Sequence, residues 1–206
     1  MAKIKKVSIK DEKEFRETLI HEIGHFVASI FIREQFDKHT IIRIEINEDN
    51  NHLKYRGETI TENKDWEKIN TTPKYITLKL ANLYQGCIFQ SIYSNYSYSF
   101  TKCTENHGTV DYDCASKILK VLKLSEKREA INDLTNDFIS QMNSNSEIFE
   151  DVFNIDLEKH IEHDNQRGQY LINLVMIENT ISQFIINYKF YFKDYVSNLS
   201  KILYPS

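Results

Sequence analysis

The chain has 206 residues, which is the size of one ordinary domain or two small ones. It contains only five Gly and two Pro, and this scarcity of backbone breakers favours a helix-rich fold over collagen-like, linker-rich or many-stranded β architectures. Its formal net charge of −4 gives no sign of nucleic-acid binding, which usually requires a basic stripe.

The first predicted element is a long helix from about residue 11 to residue 36. Asp11 can cap its N-terminus, and Glu12 and Glu14 lie in the first turn, where the helix dipole favours acidic side chains. Apolar side chains then recur at helical spacing and predict a central helix: Leu19, Ile20, Ile23, Phe26, Val27, Ile30 and Phe31.

A β-hairpin is predicted next. Ile42, Ile44 and Ile46 alternate with polar residues, which is the period of a strand. Turn-forming residues follow at 49–51, and a second alternating stretch covers 53–57, with a short further strand expected near 58–61.

The remainder is predicted to be helical apart from a loop at 94–108. One helix begins at Pro73, because proline is favoured at the first helical position. The predicted helices cover about 73–93, 109–122, 125–142, 146–163 and 166–203. We therefore expect an α+β, predominantly helical single domain over 1–206, with a motif-bearing core at 11–122 and a helical part at 125–206.

The cysteines, together with the N-terminus and the longest apolar stretch, indicate the compartment in which the protein is found. Cys87, Cys103 and Cys114 are odd in number and form no CxxC pair, which favours reduced thiols in a cytoplasmic protein. The N-terminus lacks the apolar region of a signal peptide, and the apolar stretch 168–188 carries too many amide and hydroxyl groups for a membrane span. Cys103, His107 and Cys114 lack zinc-finger spacing and are interpreted as ordinary residues.

The motif that carries chemistry is His21-Glu22-Ile23-Gly24-His25, an HExxH sequence inside the first helix. Residues four apart lie on one helix face, so the two imidazoles can bind one Zn²⁺. Glu22 lies beside them and can take a proton from a zinc-activated water that attacks a carbonyl group. Gly24 is costly inside a helix, and a closely packed second backbone would explain it.

A catalytic zinc site needs a third protein ligand. The continuation HExxHxxGxxH is excluded because Ala28 and Phe31 occupy the positions of its Gly and His. Asp111 is our first choice, since it opens a helix directly after a Gly-containing loop. The alternatives are Asp113, His107 and Glu178.

These motifs resemble the peptidase domain of the FtsH-type zinc metalloproteases. The likeness consists of the HExGH form of the motif at 21–25, the predicted hairpin that follows at 38–44, and the downstream series Gly108, Asp111 and Ala115. The resemblance implies a zincin-like fold with a small β-hairpin sheet. It also implies the zinc ligands His21, His25 and Asp111, with Glu22 as the general base.

The expected function is that of a zinc metalloendopeptidase (a hydrolase) acting on a peptide or protein substrate. The chain carries no ATPase motif, so unfolding-coupled proteolysis is not implied. The alternative is a non-catalytic, zinc-stabilised helical domain that binds a protein partner, and a third is a metal-free helical scaffold. The sequence specifies neither the cleavage preference nor the oligomeric state.

Overall fold

The fold is known from a computed structural model that describes residues 9–33, 40–46, 55–60, 72–94, 99–156, 160–164 and 167–205. The helices are α1 (Ile9–Arg33), α2 (Pro73–Tyr93), α3 (Phe100–Glu105), α4 (Thr109–Val121), α5 (Arg128–Asn143), α6 (Glu150–Phe153) and α7 (Leu174–Leu203), with 3-10 turns at Ser125–Lys127 and Ser146–Phe149. The strands are β1 (Ile41–Ile46), β2 (Tyr55–Ile60), β3 (Ile161–Asp164) and β4 (Gln169–Asn173). The predicted α+β, mainly helical class is confirmed.

The four strands form one antiparallel sheet in the order β2-β1-β4-β3. The register places Ile44 opposite both Gly57 and Tyr170, so that alternate side chains of three strands share one face. On this face the rings of Tyr55 and Tyr170 meet Phe15 of α1 edge-on, with centroids 5.3 and 5.1 Å apart. Helix α1 therefore packs across the sheet, as its apolar face predicts.

Helix α2 crosses the other side of α1 at a close approach. A Cβ atom on Gly24 would lie 2.8 Å from the backbone carbon of Gln85 and 3.1 Å from the Cα of Gly86. Any side chain at this position would force the two helices apart. The expectation that a second backbone packs against Gly24 is confirmed, and this packing offsets the propensity cost of about 1 kcal/mol for glycine inside a helix.

Beneath α2, the long helix α7 covers a cluster of rings from three helical segments. Phe89 and Phe149 pack edge-on with centroids 5.4 Å apart, and Phe184 stacks on Tyr188 at 5.1 Å. We call this set of fully buried side chains the aromatic cluster: Phe89, Phe149, Phe184 and Tyr188. The Tyr188 hydroxyl donates to Oε1 of Gln85 at 2.8 Å, so its polar end is satisfied inside the core.

Several predicted elements are confirmed and others are corrected. The α2 helix begins at Pro73 as expected, with the Thr72 hydroxyl as its cap. The hairpin strands are present, although the predicted strand near 58–61 is a continuation of β2, and the predicted turn at 49–51 lies outside the described residues. The predicted loop at 94–108 contains the short helix α3, capped by the Ser99 hydroxyl.

The predicted helices at 146–163 and 166–203 are wrong where the chain forms strands β3 and β4. Residues 161–164 form β3, and residues 169–173 form β4, so the part at 125–206 is not entirely helical. Tyr170 and Ile172 alternate with Leu171, a short pattern that fits either structure, and pairing with β1 decides in favour of a strand. Gly168 has a φ of +65° in the turn before β4, a conformation that stops a helix.

Within the described ranges, none of the helices has the length and apolar content needed to cross a membrane.

Candidate metal centre

Helix α1 brings the two histidines of the motif together. Because they are four residues apart, their rings lie one above the other, and Nε2 of His21 and Nε2 of His25 are 3.2 Å apart. The side chain of His21 is 3% exposed and that of His25 is 12% exposed. Both rings thus lie just below the surface, with His25 nearer to solvent.

Helix α4 adds a carboxylate to this pair. Asp111 lies in the first turn of α4, and its Oδ2 is 3.2 Å from Nε2 of His21 and 3.1 Å from Nε2 of His25. The Asp111 side chain is 25% exposed. The three residues chosen from the sequence as metal ligands therefore place one donor atom each around a single point.

Two of the alternatives for the third position, Asp113 and His107, lie outside the donor group. Asp113 is exposed, two residues further along α4. Nδ1 of His107 accepts a hydrogen bond from the side-chain amide nitrogen of Gln90 at 2.9 Å, and His107 is not part of the donor group. Glu178 belongs to α7, but its side chain lies outside the described residues.

The remaining nitrogens of both rings are held by polar groups of α2. Nδ1 of His21 is 3.2 Å from Oε1 of Gln90, and Nδ1 of His25 is 3.0 Å from the backbone oxygen of Asn82. Because both partners are acceptors, each Nδ1 carries a proton, and each Nε2 can offer a lone pair to the shared point once any proton on it has left. Such outer hydrogen bonds are how metal-binding histidines are oriented in proteins.

The dimensions of the group fit a zinc ion. Tetrahedral zinc with bonds of about 2.0–2.1 Å to nitrogen and oxygen separates neighbouring ligand atoms by about 3.3 Å. The separations of 3.1–3.2 Å among Asp111, His21 and His25 are close to that value. Space is also kept open, because a Cβ on Gly86 would lie 2.5 Å from Nε2 of both histidines.

The charges of the group are strongly coupled. Burial alone lowers the pKa of His25, but the adjacent Asp111 carboxylate outweighs it and raises that pKa to about 9. Burial raises the pKa of Asp111, but the two imidazoles outweigh it and hold that pKa well below its usual range. In the absence of a cation the two side chains form an ion pair, and a bound cation takes the place of its proton.

Glu22 is buried on the sheet side of α1. The Thr59 hydroxyl donates to Oε2 of Glu22 at 2.8 Å, and a Cβ on Gly57 would lie 2.7 Å from Oε1. Strand β2 thus both makes room for the carboxylate and holds it. The negative charge of Glu22 is close enough to His25 to contribute to the raised pKa of that ring.

A disulfide lies behind His21. Cys87 of α2 and Cys103 of α3 are bonded, with their Cα atoms 5.5 Å apart, and Cys114 is free. The expectation of three reduced thiols is wrong in this structure. The pair has no sequence signature because its partners are brought together only by the packing of α3 on α2.

Sequence patterns did not single out the residues that support the site, which are Gln90, Asn82, Thr59 and Gly86. One signal was available, since glycine is scarce in this chain. Four of its five glycines lie against site side chains or against the neighbouring α1–α2 contact: Gly24, Gly57, Gly86 and Gly108. Glycines inside a helix-rich chain therefore mark the close approaches that build this site.

Comparisons with known proteins identify no relative of this chain. No protein-family model matches the chain, and no curated protein or solved structure matches it either. The function of the chain must therefore be inferred from the geometry of the site and from the HExxH motif.

Proposed function

We propose that this chain is a zinc-dependent metallopeptidase with a zincin-like fold and an FtsH-type arrangement of ligands. The observation that supports the proposal is the convergence of Nε2 of His21, Nε2 of His25 and Oδ2 of Asp111 within 3.2 Å of one another. Two neutral imidazoles and a carboxylate are a common donor set for catalytic zinc.

The donor group suits catalysis because it has three members. Within the described residues, the group comprises His21, His25 and Asp111, which leaves a fourth tetrahedral position for water or substrate. A zinc ion in this position supplies Lewis acidity, which polarises a scissile carbonyl and makes a water molecule acidic near neutral pH. The partial exposure of Asp111 and His25 gives small molecules access to the group.

Glu22 is the proposed general base. Its carboxylate is buried, so it is weakly solvated and its orientation is set by the Thr59 hydroxyl. Glu22 takes a proton from the attacking water and delivers it to the nitrogen of the leaving amine. Thr59 orients the carboxylate, and the absence of a side chain at Gly57 leaves space for it.

The outer strand β2 is the proposed surface for an extended peptide. It is the first strand in the sheet order β2-β1-β4-β3 and, among the described strands, it pairs with β1 alone. Its inward-facing residues Gly57 and Thr59 contact Glu22. A peptide paired with the free side of β2 would run past the base, and main-chain hydrogen bonds would hold it with little sequence preference.

The test is hydrolysis of a degenerate peptide library by zinc-loaded protein. The Glu22→Gln variant should bind zinc as the wild type does and should cleave about 10²–10⁴-fold more slowly, because only the base is lost. Glu17→Gln, on the same helix and paired with Lys13, is the matched control and should cleave at the wild-type rate.

Turnover that survives in Glu22→Gln would remove Glu22 from the mechanism. Zinc binding at one ion per chain with no cleavage by the wild type would overturn the peptidase proposal. That outcome would favour the zinc-stabilised interaction domain instead.

A further inference from the structure

A second group of potential ligands lies on the opposite side of the His21 ring. The sulfur of Cys103 is 3.6 Å from Nδ1 of His21, and the Cys87 sulfur is bonded to it. The two sulfurs and a ring nitrogen all lie within 4.8 Å of one another. The same imidazole therefore faces a nitrogen and oxygen group through Nε2 and a sulfur group through Nδ1.

The distance between Cys103 and His21 in the sulfur group is that of a cation site. Zinc bonded to sulfur at about 2.3 Å and to nitrogen at about 2.0–2.1 Å separates those two ligand atoms by about 3.6 Å. The distance between the Cys103 sulfur and Nδ1 of His21 already has that value. The bonded sulfurs are too close together to bind one cation, and reduction replaces their bond by a non-bonded separation.

Gln90 provides a fourth donor and closes the group. Its Oε1 is 3.2 Å from both Nδ1 of His21 and the sulfur of Cys103. Gln90 and Cys103 are fully buried and Cys87 is 2% exposed. Four donors sealed from water are typical of a structural metal site, whereas the Nε2 side of the ring is partly open.

We propose that the reduced chain binds a soft divalent cation of the zinc class through Cys87, Cys103 and Nδ1 of His21, with Oε1 of Gln90 as the fourth ligand. A phosphine reductant and one water convert the disulfide to two thiols and a phosphine oxide. The cation then replaces the two thiol protons, which leave to solvent, and the proton on Nδ1 of His21 moves to Nε2. His21 therefore serves only one of the two metal groups at a time. Oxidation of the thiols closes the site. This inference goes beyond the proposed function, because it requires no hydrolysis.

The test is a cobalt(II) titration of the whole protein, oxidised and after phosphine reduction. Cobalt replaces zinc in such sites, and its bonds to thiolates absorb in the near ultraviolet. The reduced wild type should develop this absorption, and the oxidised wild type should not. The comparison needs no variant, and far-ultraviolet circular dichroism shows whether the reduced chain stays folded.

Variants identify the thiols. Reduced Cys87→Ser should lose the absorption, whereas reduced Cys114→Ser, which removes the free thiol on α4, should keep it. Far-ultraviolet circular dichroism of each variant shows whether it is folded. Absence of the absorption in reduced wild type, or its persistence in Cys87→Ser with loss in Cys114→Ser, would overturn the proposal. Glu22→Gln should retain the absorption, so a failed peptidase assay and a failed thiolate site remain distinguishable.

Discussion

The candidate metal centre and the aromatic cluster lie on neighbouring parts of α2 but are built from opposite kinds of residue. At the centre, glycines bring backbones close to one another and polar side chains fill the space, as at Gly24 and Gly86. In the cluster, large rings such as Phe149 and Tyr188 fill the space and the backbones stand apart. The metal centre fixes the positions of its side-chain atoms to about a few tenths of an ångström. The aromatic cluster instead stabilises the fold by burying apolar surface area.

This contrast predicts that the two regions can be damaged independently. Substitutions at the centre should abolish zinc binding with a small change in the free energy of unfolding. Substitutions in the cluster should do the reverse, provided that zinc binding is measured on folded protein. Four variants, ordered from the largest expected effect, test this separation.

The largest effect is expected for Gly86→Ala. The added methyl group would lie 2.5 Å from Nε2 of both histidines, so detectable zinc binding should be lost. Zinc content after dialysis is the measurement. Gly168→Ala is the matched control, because its Cβ would meet no atom within 4 Å although its φ is +65°. It should lower stability and leave zinc content unchanged, and normal zinc content in Gly86→Ala would show that the Nε2 atoms are not ligands.

The second variant tests the cluster. Phe149→Ala should lower the free energy of unfolding by about 3–5 kcal/mol, because a fully buried ring is replaced by a cavity. Urea denaturation measures this loss. Phe190→Ala removes a ring that is 74% exposed and should change stability by less than about 0.5 kcal/mol. A loss of zinc affinity in folded Phe149→Ala would contradict the independence of the two regions.

The third variant returns to the centre. Asp111→Ala should lower zinc affinity by about 100-fold or more, because loss of a mere outer partner already costs about 10–100-fold. A competition titration with a coloured chelator measures the affinity. Asp113→Ala, an exposed carboxylate on the same helix, should bind zinc as the wild type does. Equal affinities for the two variants would rule out Asp111 as a ligand.

The smallest effect is expected for Thr59→Val. This nearly isosteric change removes the hydroxyl that holds Glu22, so kcat should fall about 10-fold with KM unchanged, given the loss of one charge-assisted hydrogen bond. Thr59→Ser should restore the rate because it keeps the donor. A fall in KM and kcat together, or failure of serine to rescue, would contradict a positioning role.

Structural features that depend on residues close together in the chain were predicted from the local sequence pattern. The apolar periodicity of α1, the proline at the start of α2 and the alternation in β1 all appear in the structure. The HExxH spacing likewise placed His21 and His25 together, since helix geometry alone decides their separation.

Features that depend on distant segments escaped prediction. Strand β4 exists because it pairs with β1, more than 120 residues earlier in the chain. Gln90, Thr59 and the Cys87–Cys103 pair reach the site only through the packing of other elements on α1. Asp111 lies within 3.2 Å of both histidines, and its choice as a ligand drew on its place after a Gly-containing loop and on family resemblance rather than on spacing.

The order of the sheet has a consequence for synthesis on the ribosome. Strand β1 obtains one neighbour from the hairpin, but its other neighbour is residues 169–173. In the nascent chain, the edge of β1, the strand that contains Ile42 and Ile44, therefore stays unpaired until residues 169–173 emerge. Open edges recruit strands from other molecules. Truncated chains that end before residue 169 should consequently self-associate.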